Sequence, residues 1–94
     1  MVVGILEVTF HIPLACSRKD KRQVVASLKE RIRQRYNVSL SETEGQDSWQ
    51  ECTLAIAMVA MGQGAVERDF QRIVALIESQ PSVSHTEYWI DYLA

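Results

Sequence analysis

Four stretches of strand-like alternation and two of helical periodicity, in the order β-α-β-β-α-β, predict an α/β (α+β) domain with two helices on one face of a four-stranded antiparallel sheet. Three observations carry this. Residues Val2 to Ile12 alternate with a period of two. Two segments, one basic and one more apolar, repeat hydrophobic residues at helical spacing. The chain has 94 residues with no linker, repeat or low-complexity tract, so residues 1–94 read as a single domain.

In VVGILEVTFHI, Leu6, Val8, Phe10 and Ile12 share one face and Ile5, Glu7, Thr9 and His11 the other, a half-buried strand that Pro13 stops. Ser17 is the expected N-cap of the first helix, with Asp20 at N3 completing an S-x-x-D capping box. Val24, Leu28 and Ile32, flanked by Val25 and Tyr36, form its buried stripe. A short strand is expected over Asn37 to Glu42, with Val38 and Leu40 inward, and Thr43 to Gln50 reads as a polar hairpin loop. From Glu51 to Met61, Leu54, Ile56 and Met58 take one face and Ala55, Ala57, Val59 and Met61 the other. A strand apolar on both faces belongs at the centre of its sheet.

Gly62 and Gly64 open the second helix, whose stripe of Val66, Phe70, Ile73 and Ile77 ends before Pro81. Val83 to Leu93 is the last strand, and its facing stays open: either Val83, Trp89 and Leu93 or Tyr88, Ile90 and Tyr92 meet the helices. The whole is the split-βαβ, ferredoxin-like arrangement, with strand order 4-1-3-2. It leaves one sheet face uncovered, carrying Ile5, Ala55, Ala57, Val59 and Met61. Soluble monomers seldom leave such an apolar patch exposed, so a homodimer is expected.

Charge is distributed unevenly. Eight of the ten Lys and Arg residues fall between Arg18 and Arg35 against Asp20 and Glu30, a formal +6 that leaves −8 for the rest of the chain. At about 100° per residue, Lys19, Arg22, Lys29 and Arg33 align on the outward face, with Ala26 in the gap, as a ridge about 21 Å long. Lys21, Arg31 and Arg35 are expected on the flanks, with their heads in water. The ridge has the chemistry to follow a phosphate backbone. The plainer reading is a solvated face partly neutralised by Glu30, Glu42, Glu44, Asp47 and Glu51, or an oligomer contact with a partner's acidic loop. An overall charge of −2 counts against tight nucleic-acid binding.

Several classes find no support. No run approaches the roughly 20 apolar residues of a membrane helix. The first apolar run lacks a signal peptide's basic flank and cleavage pattern, so a cytoplasmic protein with no membrane partner is expected. Cys16 and Cys52 fit no zinc or redox motif and read as free thiols. No phosphate-binding loop, dinucleotide fingerprint or C-x-x-C pair occurs, so no cofactor and no catalytic residues are assigned. His11 and His85 sit on neighbouring strands near Glu7 and Glu87, but a metal needs three or four converging ligands and no metal site is assigned. Asp47, Trp49 and Gln50 form either a ligand-reading corner or a structural one, in which Trp49 caps the core edge and Asp47 or Gln50 ties up loop amides. Tyr88, Trp89 and Tyr92 are either a stacking platform or core and interface residues.

The runs VGILEVTFHIP, SRKDKRQVV, RYNVSLSE and DSWQECTLAIAMV resemble, in order and spacing, the small bacterial DUF503 family, also called YlxP-like proteins. The resemblance covers nearly the whole chain, and its most specific pieces are Ser17-x-x-Asp20-Lys21-Arg22 and Asp47-x-Trp49-Gln50. It implies a ferredoxin-like fold, self-association and no established enzymatic activity. Genes of such proteins often sit beside those for translation initiation and ribosome maturation factors, which implies a role near RNA. No catalytic residues carry over. Arg18 stands where the family more usually has Leu, which adds charge without altering the cap.

The function expected is therefore a non-enzymatic accessory protein for RNA or a ribosomal subunit, with Lys19, Arg22, Lys29 and Arg33 meeting phosphates. The alternatives are a protein-interaction module whose ridge meets an acidic partner, and a small-ligand sensor or enzyme in a dimer cleft near Trp49.

Overall fold

The computed structural model describes residues 1–44 and 48–93. The elements follow as β1 (Val2–His11), α1 (Arg18–Arg35), β2 (Ser39–Glu44), β3 (Glu51–Ala60), α2 (Gln63–Glu78) and β4 (Ser84–Leu93). The strands pair antiparallel in the order β2-β3-β1-β4, the ferredoxin-like topology, with the two most apolar strands at the centre. Leu6, Val8 and Phe10 of β1 and Leu54 and Ile56 of β3 are fully buried beneath the helices. Val25, Leu28 and Ile32 of α1 and Val66, Phe70, Ile73, Val74 and Ile77 of α2 close the core from above. Val24 and Tyr36, expected in the α1 stripe, lie at its partly buried edges.

Helix α1 begins as the sequence predicts, with one difference at its cap. Ser17 Oγ accepts from the Asp20 amide at 3.1 Å, but the Asp20 carboxylate accepts from the amide of Cys16 at 3.0 Å, one residue before the position a capping box uses. Helix α2 starts after Gly62 without a side-chain cap, and its last turn closes through Ser79 Oγ donating to the Leu76 carbonyl at 2.7 Å. Gly4 is where α2 comes closest to the sheet. A Cβ there would fall inside the envelope of Val66 Cγ1 and 3.0 Å from Phe70.

Two boundaries differ from expectation. Strand β2 starts at Ser39 and runs to Glu44, so Thr43 and Glu44, read as loop, belong to the sheet. Pairing with Leu54 and Thr53 of β3 extends the strand across a bulge between Glu42 and Glu44, and this tertiary pairing overrides the polar local sequence. Residues 45–47 of the expected loop lie outside the described residues. Of the two facings open for β4, that of Tyr88, Ile90 and Tyr92 toward the helices holds within the strand, while Val83, just before it, also packs on the core. The parity changes at His85, whose φ of 53° is left-handed, beside a register shift opposite Thr9 and His11. Tyr88 and Tyr92 reach α2, donating to Gln71 Oε1 at 3.2 Å and Glu67 Oε2 at 3.3 Å. Partial burial, then the Glu67 carboxylate, holds the Tyr92 phenol above its ordinary pKa.

Candidate nucleic-acid interface

All ten Lys and Arg residues of the chain lie in α1 or α2, and no strand carries one. The layered fold therefore gathers positive charge on one side of the sheet. On α1, Lys19, Arg22 and Arg33 are exposed and Lys29 is half-buried. The four share the helix face that the sequence assigns them. Arg33 has a second engagement, with Nη2 donating to the Leu40 carbonyl on the edge strand β2 at 3.4 Å. Its guanidinium thereby covers part of an edge that would otherwise offer free backbone groups.

Lys21 departs from its expected place on a solvated flank. Its side chain is 6% exposed, with Nζ 3.0 Å from Glu42 Oε2 and donating to the Ser48 carbonyl at 2.8 Å. The ammonium thus ties α1 to β2 and to the turn before β3. A spacing signal for this exists in the sequence, because Lys21, Val25, Leu28 and Ile32 recur at intervals of 4, 3 and 4, the buried stripe itself. Glu42 correspondingly faces the core side and does not simply dilute the ridge. Of the other acids expected to do so, Glu51 Oε2 pairs with His11 Nε2 at 3.6 Å at the start of β3, and Glu30 accepts from Gln34 on α1 at 3.2 Å.

Between α1 and β2 runs a groove of about 460 Å³, lined by Arg18, Lys21, Arg22, Val25, Ala26, Lys29 and Glu42. Arg18, Arg22 and Lys29 fall within about 40° of one another around the helix, so the groove and the predicted ridge overlap at Arg22, Ala26 and Lys29. Arg18, Lys21, Val25 and Glu42 are the members that the sequence reading did not assign to a site. Among the described residues, Lys21 is the one α1 cation within ion-pair distance of a carboxylate. Beneath the groove lies Cys52, fully buried, whose thiol is pushed up to about 12, first by burial and then by the Glu42 charge.

The second predicted corner is divided. Asp47 lies outside the described residues. Trp49 is 50% exposed and does not pack on the main core. Gln50 is structural: its Nε2 donates to the carbonyls of Pro13 at 3.2 Å and Ala15 at 3.4 Å, tying the β1–α1 connection to the turn before β3. Ser48, which the sequence reading passed over, accepts from the amides of Gln50 and Glu51 at 3.2 and 3.1 Å. His11 and His85 do meet, edge to face with ring centroids 5.8 Å apart. Among the described residues no three ligand-type side chains converge to hold a metal ion.

The opposite sheet face is open. Registers place Val3 and Ile5 of β1 between Val59 and Ala57 of β3 and Leu93 and Asp91 of β4, with Glu7 between Ala55 and Trp89. Val59 is 62% exposed, Trp89 50% and Leu93 51%. The formal charges on these three strands' open face are all acidic: Glu7, Glu51, Glu87 and Asp91. No helix among the described residues is long and apolar enough to cross a membrane.

An antiparallel ferredoxin-like domain with a cationic helix over one sheet edge defines the class structurally. The chain belongs to the DUF503 family, described as a protein of unknown function, whose profile matches residues 3–90. It is 35% identical over 85 residues to the uncharacterized protein YlxP of Bacillus subtilis, covering 90% of this chain and 92% of that one. Among solved structures it is similar to the designed protein Foldit4, with a TM-score of 0.59 and 14% identity over 98% of this chain and 97% of that one. It is also similar to a variant of SnoaB, a cofactor-independent oxygenase from Streptomyces nogalater, with a TM-score of 0.62 and 9% identity over 95% and 90%. At such identities the structural likeness concerns the fold alone.

Proposed function

We propose that this protein is a non-enzymatic accessory factor that associates with RNA or a ribosomal subunit through the outer face of α1. The supporting observation is that Arg18, Lys19, Arg22 and Lys29 have no carboxylate within ion-pair distance among the described residues, whereas the buried cation of the same helix, Lys21, does. Cations already compensated within the fold gain little from a phosphate. Cations left in solvent release condensed counterions when they meet one, and that release favours binding. Lys19, Arg22, Lys29 and Arg33 are the proposed phosphate contacts, with Arg33 also holding the β2 edge.

The test is binding of the purified protein to labelled structured RNA and to ribosomal subunits at about 50 and 200 mM salt, beside the Lys29→Glu, Arg33→Glu double variant. Four phosphate contacts predict a loss of roughly 50- to 150-fold in affinity between the two salt concentrations. The double variant should bind more weakly at the lower salt and show a shallower salt slope. No binding at the lower salt overturns the reading and turns the search to an acidic protein surface as partner of the same helix.

A further inference from the structure

Following a phosphate backbone needs only exposed cations, and the α1–β2 groove offers more than that. Its volume of about 460 Å³ falls in the range of roughly 300–1,000 Å³ that small-molecule sites occupy, well beyond what one phosphate fills. Its wall includes exposed Ala26 with the edge of buried Val25 beside it, and its rim carries Arg18, Arg22 and Lys29. Lys21 and Glu42 stand among its lining as an ion pair at 3.0 Å, which adds no net charge to the interior. An anionic group is therefore favoured at the rim and an uncharged, flat group inside.

We propose that this groove seats one unstacked nucleotide of a single-stranded RNA segment, its phosphates on Lys29 and one of Arg18 and Arg22, and its base against Ala26 and the other guanidinium. The inference rests on the RNA reading above and adds the form of RNA taken. Arg18 and Arg22 are one helical turn apart, so one guanidinium can meet a phosphate while the other stacks on the base. A base within a duplex is paired and stacked and cannot enter, so the groove discriminates by strandedness and not by charge. The open sheet face, where modules of this topology hold bases on aromatics, carries Ala55, Ala57 and Val59 on β3 together with four carboxylates, and suits that task poorly.

The test compares a short oligoadenylate with an RNA duplex of equal phosphate number, on the wild type and on Ala26→Leu. Ala26 is exposed on a helix, and Leu fills the groove without adding an aromatic face or changing charge. Circular dichroism checks that the helix content is kept. The wild type should prefer the single strand by about tenfold, the value of one stacked base. Ala26→Leu should lose about that factor for the single strand and leave duplex binding within about twofold. Equal binding of both RNAs, or a preference for duplex, with no effect of Ala26→Leu overturns the groove and leaves the phosphate ridge standing. Binding of neither RNA overturns both.

Discussion

Lys21 of α1 and Glu42 of β2 form an ion pair of 3.0 Å with side chains 6% and 21% exposed, so the most basic element of the chain is anchored through a cation largely withdrawn from solvent. Removing Lys21 takes away this ion pair and the hydrogen bond to the Ser48 carbonyl in a largely dehydrated place. Lys21→Ala is expected to cost about 3 kcal/mol, a fall in Tm of roughly 12–24 °C by thermal unfolding. The double variant Lys21→Met, Glu42→Met should recover part of that loss, because it removes both members of this ion pair and puts apolar side chains of similar size in their place. A double variant no more stable than Lys21→Ala would mean that the cost lies in packing.

Cys52 titrates far above its ordinary value of 9.0, at about 12 in the folded chain. A thiol that keeps its proton longer when folded stabilises the fold below the unfolded value and loses that contribution as pH rises through the folded one. Stability should therefore be insensitive to this group below about pH 8 and fall between about pH 9 and 12 by up to roughly 1.4 kcal/mol per pH unit. Denaturant unfolding of the wild type and Cys52→Ala across this range checks it, since the variant should lack that part of the slope. At pH 8 a thiol reagent should modify exposed Cys16 alone, and Cys52 only on unfolding.

At Gly4 the limit is steric. Gly4→Ala is expected to destabilise by about 1–3 kcal/mol in spite of Ala's lower backbone entropy cost, because Val66 must move to admit the methyl group. Val66→Ala in the same chain should return part of that loss, making the two substitutions non-additive in chemical denaturation.

The open sheet face is proposed to close against a second copy of the chain through Val3, Ile5, Val59 and Leu93. Because its formal charges are acidic, such a contact should tighten as salt rises, opposite to RNA binding. Sedimentation at about 50 and 500 mM salt reads this directly, and Val59→Asp should give a monomer at both. A wild-type monomer at high protein concentration in both conditions would sink the idea.

Most of the architecture was legible in the residue pattern because strand and helix periods are local. The alternation of Leu6, Val8 and Phe10, the cap at Ser17 and the central place of β3 all came from it. The site was legible in part. Charge and helical phase set out Lys19, Arg22, Lys29 and Arg33, yet Lys21 was misplaced although it falls on the Val25–Leu28–Ile32 stripe. A lysine on an apolar stripe reads as an exposed flank until its partner is known, and Glu42 is 21 residues away on another element. The facing of β4 was narrowed to two alternatives, of which Tyr88, Ile90 and Tyr92 toward the helices is the one the strand has, while the change of parity at left-handed His85, which brings Val83 to the core as well, is something no pattern of apolar residues reports.

The confinement of all ten cations to the helices has an effect at distances where no contact exists. With a net charge of −2, the whole molecule is weakly repelled by a polyanion from afar. Its charge separation across the sheet nevertheless makes it a dipole, and the field near a dense row of phosphates exerts a torque on a dipole. Encounters are then biased in orientation before they are favourable in energy, with α1 turned toward the polyanion and the apolar face turned away. A partner on that other face would remain accessible throughout.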